Sequence, residues 1–297
     1  MKKNGEERHE HRKIGRFEII VITAVICVAV GLLVVYGIQV FKRRQAEDLM
    51  GQLADLTWSD IDYTDEAQNQ EPNSESTKGQ KETESDSLKA LIEMGVPIPE
   101  KEVDFAALKE EVNEDIYAWI YIPDSDIDYP VLQHPTDNAF YLEYNIDGSK
   151  GRPGCIYTED YNSKDFTDPN TVIYGHNITS STKPGTTMFH DLHKFEDSKY
   201  FEENPYVYIY TEEGLLVYEV FAAYVTGNEH VLFSCDFGLP SQYSKYLENI
   251  FEIQSTDANI REELTVTNEN RILTLSTCVY GRKQNRYLVQ GVLLNES

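Results

Sequence analysis

The chain has 297 residues, 40% of them hydrophobic, which leaves room for one or two ordinary domains and excludes wholesale disorder. Fifty-one Asp and Glu against 26 Lys and Arg give a formal charge of −25, which argues against nucleic acid as a partner, since phosphate binding needs a basic face. The charge is zoned: residues 1–44 carry nine Lys and Arg against four Glu, and residues 45–104 carry four Lys against sixteen Asp and Glu.

After a basic head (1–18), Ile19 to Phe41 contains no charged residue. Twenty-three residues at ~1.5 Å each span ~34 Å, enough for a hydrocarbon core of ~30 Å. The run exceeds the ~7–15 residues of a signal-peptide core, and no small-residue cleavage site follows, so a retained anchor is expected over residues 19–41. Lys2, Lys3, Arg8, Arg12, Lys13 and Arg16 outnumber Lys42, Arg43 and Arg44, which puts the amino terminus in the cytoplasm and the rest of the chain outside the cell. Residues 42–100 read as an acidic stalk, with a short helix over 45–63 and a flexible linker from Gln68 to Ser87, where no large aliphatic residue occurs.

The folded domain is expected over residues 101–297. Phe105, Leu108 and Val112 recur at helical spacing. Tyr117–Ile122 and Ile127–Leu132 read as strands about an Asp124-Ser125-Asp126 turn, Thr171–Tyr174 as a short apolar strand, and Tyr206–Tyr210 with Leu215–Val225 as a hairpin about Glu212-Glu213-Gly214. Tyr243, Tyr246, Leu247, Ile250 and Phe251 form one face of a helix, and Arg271–Thr277 and Tyr287–Leu294 are strands on either side of a polar stretch. Many strands and few helices predict a mainly β domain, a barrel or sandwich with helical additions.

Cys27 lies in the apolar segment, leaving Cys155, Cys235 and Cys278 outside, an odd number that leaves at least one thiol unpaired. Each is either a small buried apolar residue or a reactive thiol. Cys278 ends a strand on the face of Thr274 and Ser276. If the last two strands pair, Arg286 meets it at the same end of the sheet, either as a solvated edge charge or as a group that favours a thiolate and holds an oxyanion. His176 ends another strand on the face of Val172 and Tyr174, either structural or the partner that thioester chemistry requires.

Thr274-Leu-Ser-Thr-Cys278 with an Arg opening the next strand, and Tyr174-Gly-His176 upstream, resembles a sortase, a membrane-anchored cysteine transpeptidase of Gram-positive bacteria. The stretches Asp104–Gln133, Asp137–Gly148, Asp168–Asn177 and Met188–Leu192 resemble class B in particular, and the likeness covers about residues 103–294. It implies an eight-stranded sortase-type barrel with amino-terminal helices and a helix between the sixth and seventh strands, where Tyr243–Phe251 falls. It further implies Cys278 as nucleophile, His176 as general acid and Arg286 as oxyanion ligand, with Tyr174, Ser276, Asn138 and Leu142 lining the substrate groove. The implied partners are secreted proteins with a carboxy-terminal sorting signal, of Asn-Pro-x-Thr rather than Leu-Pro-x-Thr type, and an amine of the peptidoglycan cross-bridge or its lipid-linked precursor. One departure stands out: class B members often place an acidic residue directly after the cysteine, and here it is Val279. Arg282 also competes with Arg286 by position.

No metal or cofactor is expected. His190 and His193 read as two exposed side chains of one helical turn, and Asp160, Asp165 and Asp168 as a solvated loop that falls short of a calcium motif. Three other functions compete with a wall-anchoring transpeptidase: a pilin-polymerising sortase, a hydrolytic cysteine peptidase and a non-enzymatic surface binding module. Only the last needs no reactive thiol.

Overall fold

The computed structural model describes residues 16–57, 78–178 and 188–295. The chain divides into two compact units, Met1–Arg44 and Gln45–Ser297. The described part of the first is the leading stretch of helix α1 (Arg16–Leu56), the one described helix long and apolar enough to cross a membrane, with a mean hydropathy of 2.8 in its apolar window and exposed side chains from Val21 to Gln39. The second unit begins earlier than the sequence suggests. Of the short helix expected over 45–63, residues 45–56 continue α1, with Ala46, Met50 and Leu53 buried at i, i+4, i+7 spacing, and residues 58–63 lie outside the described residues. The expected linker is helical from Lys78, where α2 (Lys78–Glu93) begins and carries Leu91 into the domain core; residues 68–77 lie outside the described residues. An apolar stripe of three residues is enough to draw a charged segment onto a core, and composition averages hide it.

Helix α3 (Phe105–Glu111) starts at Asp104, whose carboxylate caps the Ala107 N–H at 2.9 Å, and buries Phe105 and Leu108. The strands follow as β1 (Ile116–Tyr121), β2 (Asp128–Leu132), β3 (Ile156–Thr158), β4 (Asn170–Tyr174), β5 (Tyr206–Thr211), β6 (Leu215–Thr226), β7 (Ala258–Ile260), β8 (Ile272–Val279) and β9 (Arg282–Leu293). Their order is β5-β1-β2-β3-β4-β8-β9-β6, and β6 pairs back onto β5, so eight strands close into a barrel and β7 hangs from β6 as a short ninth. The β2–β3 and β4–β8 pairings are parallel and the others antiparallel. Strands β3 and β7, three residues each, show no alternation in sequence and exist because neighbours pair with them. Short helices α4 (Phe140–Glu143) and α5 (Ser198–Glu203) decorate the connections. Helix α6 (Pro240–Phe251) lies between the sixth and seventh staves and packs Tyr243, Leu247 and Ile250 against Val172, Phe221 and Leu288.

One buried polar chain crosses four staves. Thr274 on β8 donates to Asn170 Oδ1 on β4 at 2.8 Å, Gln290 Nε2 on β9 donates to Thr274 Oγ1 at 2.8 Å, and Tyr224 on β6 donates to Gln290 Oε1 at 3.0 Å. Thr274 and Gln290 are fully buried. A slip of any of these strands would leave several of these groups without partners, so the chain fixes the register that positions the strand ends. Gln290→Ala should destabilise the domain by about 3 kcal/mol, read from the denaturant midpoint; a loss below ~1 kcal/mol would show that the register is held elsewhere.

Candidate active site

The active-site geometry begins where β4 ends. Tyr174 is in register with Ser276 of β8, the Gly175 N–H donates to the Ser276 carbonyl at 3.2 Å, and Thr277 Oγ1 donates to the Gly175 carbonyl at 2.8 Å. Only glycine fits at 175: a Cβ there would stand 2.5 Å from Ile156 Cδ1 and 2.7 Å from the Phe189 ring. The chain then turns out at His176, whose Nε2 lies 2.8 Å from the Leu142 carbonyl oxygen. A carbonyl only accepts, so the imidazole proton sits on Nε2. Burial, and to a smaller extent the Arg152 charge, hold the His176 pKa below its ordinary 6.5, opposed by the Leu142 carbonyl.

On the opposite wall, Cys278 and Arg286 are direct cross-strand partners at the last regular rung of the β8–β9 ladder. The next pair is Val279 with Arg282, so residues 283–285 loop outward. Arg286 Nη1 donates to the carbonyls of Asn285 (3.0 Å) and Lys283 (3.3 Å), and Asn285 is itself tied to the Thr226 carbonyl at 3.0 Å. A guanidinium has five N–H donors, so the fork retains donors for a ligand. Arg282 instead faces Asp257 at 3.7 Å, which separates the two arginines that the sequence leaves in competition.

Leu142, Tyr157, Tyr174, His176, Ser276, Cys278 and Arg286 line one cleft of about 220 Å³, with Asn228, Glu229 and His230 from the connection after β6 on its rim. Burial first, and then the Glu159 carboxylate, push the phenols of Tyr157 and Tyr174 up, so both stay neutral donors; Tyr157 also feels Cys278 and Arg286. The structure therefore brings together six of the seven residues expected at the site. Asn138 is the exception: its amide donates to Asp160 Oδ1 at 2.6 Å and accepts from the Asp160 N–H at 2.8 Å, which spends it on the loop between β3 and β4.

The histidines of the Met188–Leu192 region also differ from expectation. His190 and His193 lie on a 3-10 segment, His190–Glu196, and are half-buried rather than exposed. His193 Nε2 reaches the Cys278 carbonyl at 3.1 Å, beside Asn177 Nδ2 at 2.8 Å. Neither contact has a local signature in the sequence, although Asn177 adjoins His176. His230, which meets Glu159 at 2.6 Å and stacks on Phe233, follows from no periodic pattern at all. Cys155 has the plain role of a buried apolar residue, 1% exposed, with its thiol pKa raised by burial.

A thiol, an imidazole and a guanidinium at one mouth of a closed barrel are the equipment of covalent acyl transfer. The sortase-domain family model matches residues 120–294, more than half of the chain, and the chain belongs to the sortase family of cysteine transpeptidases. Within that family it is similar to class B. Sortase B of Listeria monocytogenes is 35% identical over 191 residues, covering 63% of this chain and 73% of that protein. The Staphylococcus aureus sortase B–substrate complex superposes with a TM-score of 0.55 at 25% identity, over 73% of this chain and 95% of that one. Clostridium perfringens sortase B gives 0.55 at 30% identity, over 64% and 99%.

Because both burial and Arg152 disfavour the imidazolium, removing the arginine charge should raise the His176 midpoint. In Arg152→Gln, an NMR titration of the His176 ring should shift to higher pH; an unmoved midpoint would mean that the Arg152 field does not reach the ring.

Proposed function

We propose that this chain is a membrane-anchored class B-like sortase that cleaves a carboxy-terminal sorting signal after Thr and transfers the acyl group to an amine of the cell wall. The observation that carries the reading is the Cys278–Arg286 rung facing His176 across one cleft. Cys278 as thiolate adds to the carbonyl carbon of the signal's Thr, and the electron pair of the C=O moves to oxygen. Arg286 donates to that oxyanion, replacing contacts it makes with its own loop. As the oxyanion collapses, the C–N bond breaks and His176, in the imidazolium form that accompanies the Cys278 thiolate, supplies the proton that the leaving amine takes and becomes the neutral imidazole. The thioester keeps the carbonyl activated until a second amine attacks it; His176 recovers a proton from that amine and the thiolate leaves.

Tyr174, Ser276 and Leu142 form the wall along which the peptide lies, and Asn138 shapes that wall by holding Asp160 instead of touching the peptide. Support for the outer-surface location comes from the apolar stretch of α1 and from the excess of basic residues before it. The anchor confines enzyme, tethered protein and lipid-linked acceptor to one surface. An Asn-Pro-x-Thr type of signal follows from the class B likeness.

The test is incubation of the full chain in detergent with a library of Pro-x-Thr peptides and a short glycine peptide as amine. New amide product should form after the Thr, with a thioester trapped on Cys278 and no product in Cys278→Ala. Release of carboxylate alone, with amine present, would make the chain a hydrolase. Arg286→Lys keeps the cation but not the planar fork, and kcat should fall ~100-fold; near-normal turnover would remove Arg286 from the mechanism.

A further inference from the structure

The catalytic reading leaves one polar network behind the nucleophile without a role. The β4–β8 ladder supplies a backbone N–H to the Ser276 carbonyl, through Gly175, and no further. The next β8 carbonyl on that edge belongs to Cys278, and by then the chain after β4 has turned away at His176. Two side chains stand in for the missing rung: Asn177 Nδ2 at 2.8 Å and His193 Nε2 at 3.1 Å from the Cys278 oxygen. They come from different segments, Asn177 from the residue after His176 and His193 from the His190–Glu196 turn.

His193 is itself held on two sides. Its Nδ1 lies 2.6 Å from Glu196 Oε1 and its ring stacks on Tyr287 at 4.8 Å between centroids, while Asn177 Nδ2 stands beside its Nε2 as a second donor to the same oxygen. Tyr287 is the cross-strand partner of Thr277, next to the nucleophile. His190 Nδ1 in turn meets Asn177 Oδ1 at 2.7 Å, which orients the amide so that its N–H groups face Cys278. The Cys278 carbonyl only accepts, so His193 meets it through Nε2–H.

We propose that His193, oriented by Glu196 and assisted by Asn177, is a positioning residue for Cys278. The inference rests on the reading of Cys278 as nucleophile. Beyond Cys278 the β8–β9 register jumps, so the thiol sits on the last regular rung, where a strand end would otherwise fray. Holding the Cys278 carbonyl fixes the peptide plane and therefore the direction in which Sγ leaves the backbone. Asn177 also ties that plane to the segment that carries His176. A displacement of ~1 Å between reacting groups costs ~100-fold in rate, so the benefit of such a clamp falls on the chemical step. The network does not touch the cleft, and peptide affinity should not depend on it.

The experiment compares the full-length chain in detergent with His193→Phe and His193→Gln, measuring kcat and KM for the sorting peptide together with thermal unfolding. Phe keeps the stack on Tyr287 without a donor, whereas the Gln amide places an N–H near the position of Nε2. His193→Phe should lower kcat ~10-fold with KM within ~2-fold, and His193→Gln should recover kcat to within ~3-fold of the wild type. Wild-type kcat in His193→Phe, an equal loss in both variants, or a loss confined to KM would overturn the proposal. If His193→Phe does not fold, Glu196→Ala takes its place, since that side chain is half exposed. A ~3-fold fall in kcat at unchanged KM supports the clamp, and an unchanged kcat overturns it. A wild-type chain that forms no thioester on Cys278 removes the catalytic reading beneath it; an active wild type that ignores His193 removes the positioning role alone.

Discussion

The register of three adjacent strands, β4, β8 and β9, is the constraint on which the rest of the molecule depends. In that register Tyr174 stands beside Ser276 and Cys278 stands opposite Arg286. Side chains alternate between faces along a strand, so a shift of one residue in β8 would turn the thiol to the other side of the sheet. Apolar burial alone specifies this weakly, because both faces of β8 are covered up to Thr277. The specification comes from the buried Asn170–Thr274–Gln290–Tyr224 chain, whose three side-chain hydrogen bonds form only when the four strands are in step. Chemistry at the barrel mouth is thus set by hydrogen bonds several residues below it.

Much of this was legible in the sequence, and for physical reasons. Long strands such as β6 and β9 announce themselves by β-branched and aromatic content, and α6 by an apolar stripe at helical period. The pairing of Cys278 with Arg286 follows from two strand ends joined by a short polar connection. What sequence did not disclose depends on contacts far apart in the chain. The three-residue strands β3 and β7 are stabilised by neighbours, not by their own propensity. The second half of α1 and the end of α2 were hidden in acidic composition, although Ala46, Met50, Leu53 and Leu91 sit in the core. His193 was misread because an i, i+3 histidine pair says nothing of a carbonyl 85 residues away. Asn138 was misplaced for the same kind of reason: its partner, Asp160, lies across a loop.

The cysteines divide cleanly by environment. Cys155 is enclosed and its thiol is pushed away from ionisation by the loss of water around it. Cys278 is exposed at the cleft, paired across the ladder with Arg286, in a cleft also lined by Tyr157 and Tyr174. The difference arises from the position of each residue along its strand, not from the identity of the side chain. A thiol in the wall of the barrel is packing material; the same thiol at its rim is open to a ligand.

Closure of the sheet has a consequence for self-association. Under the function proposed above, the substrates would be extended peptide segments, which can zip against any open strand edge. Eight of the nine strands among the described residues have a strand on both flanks, and the single flank without a strand partner is that of β7, only three residues long and tied through Asn259 to the Phe195 and Glu196 carbonyls. Such a stub is too short to template a cross-β association. Under the proposed function, a stretched polypeptide could therefore enter the cleft without meeting an edge on which to aggregate.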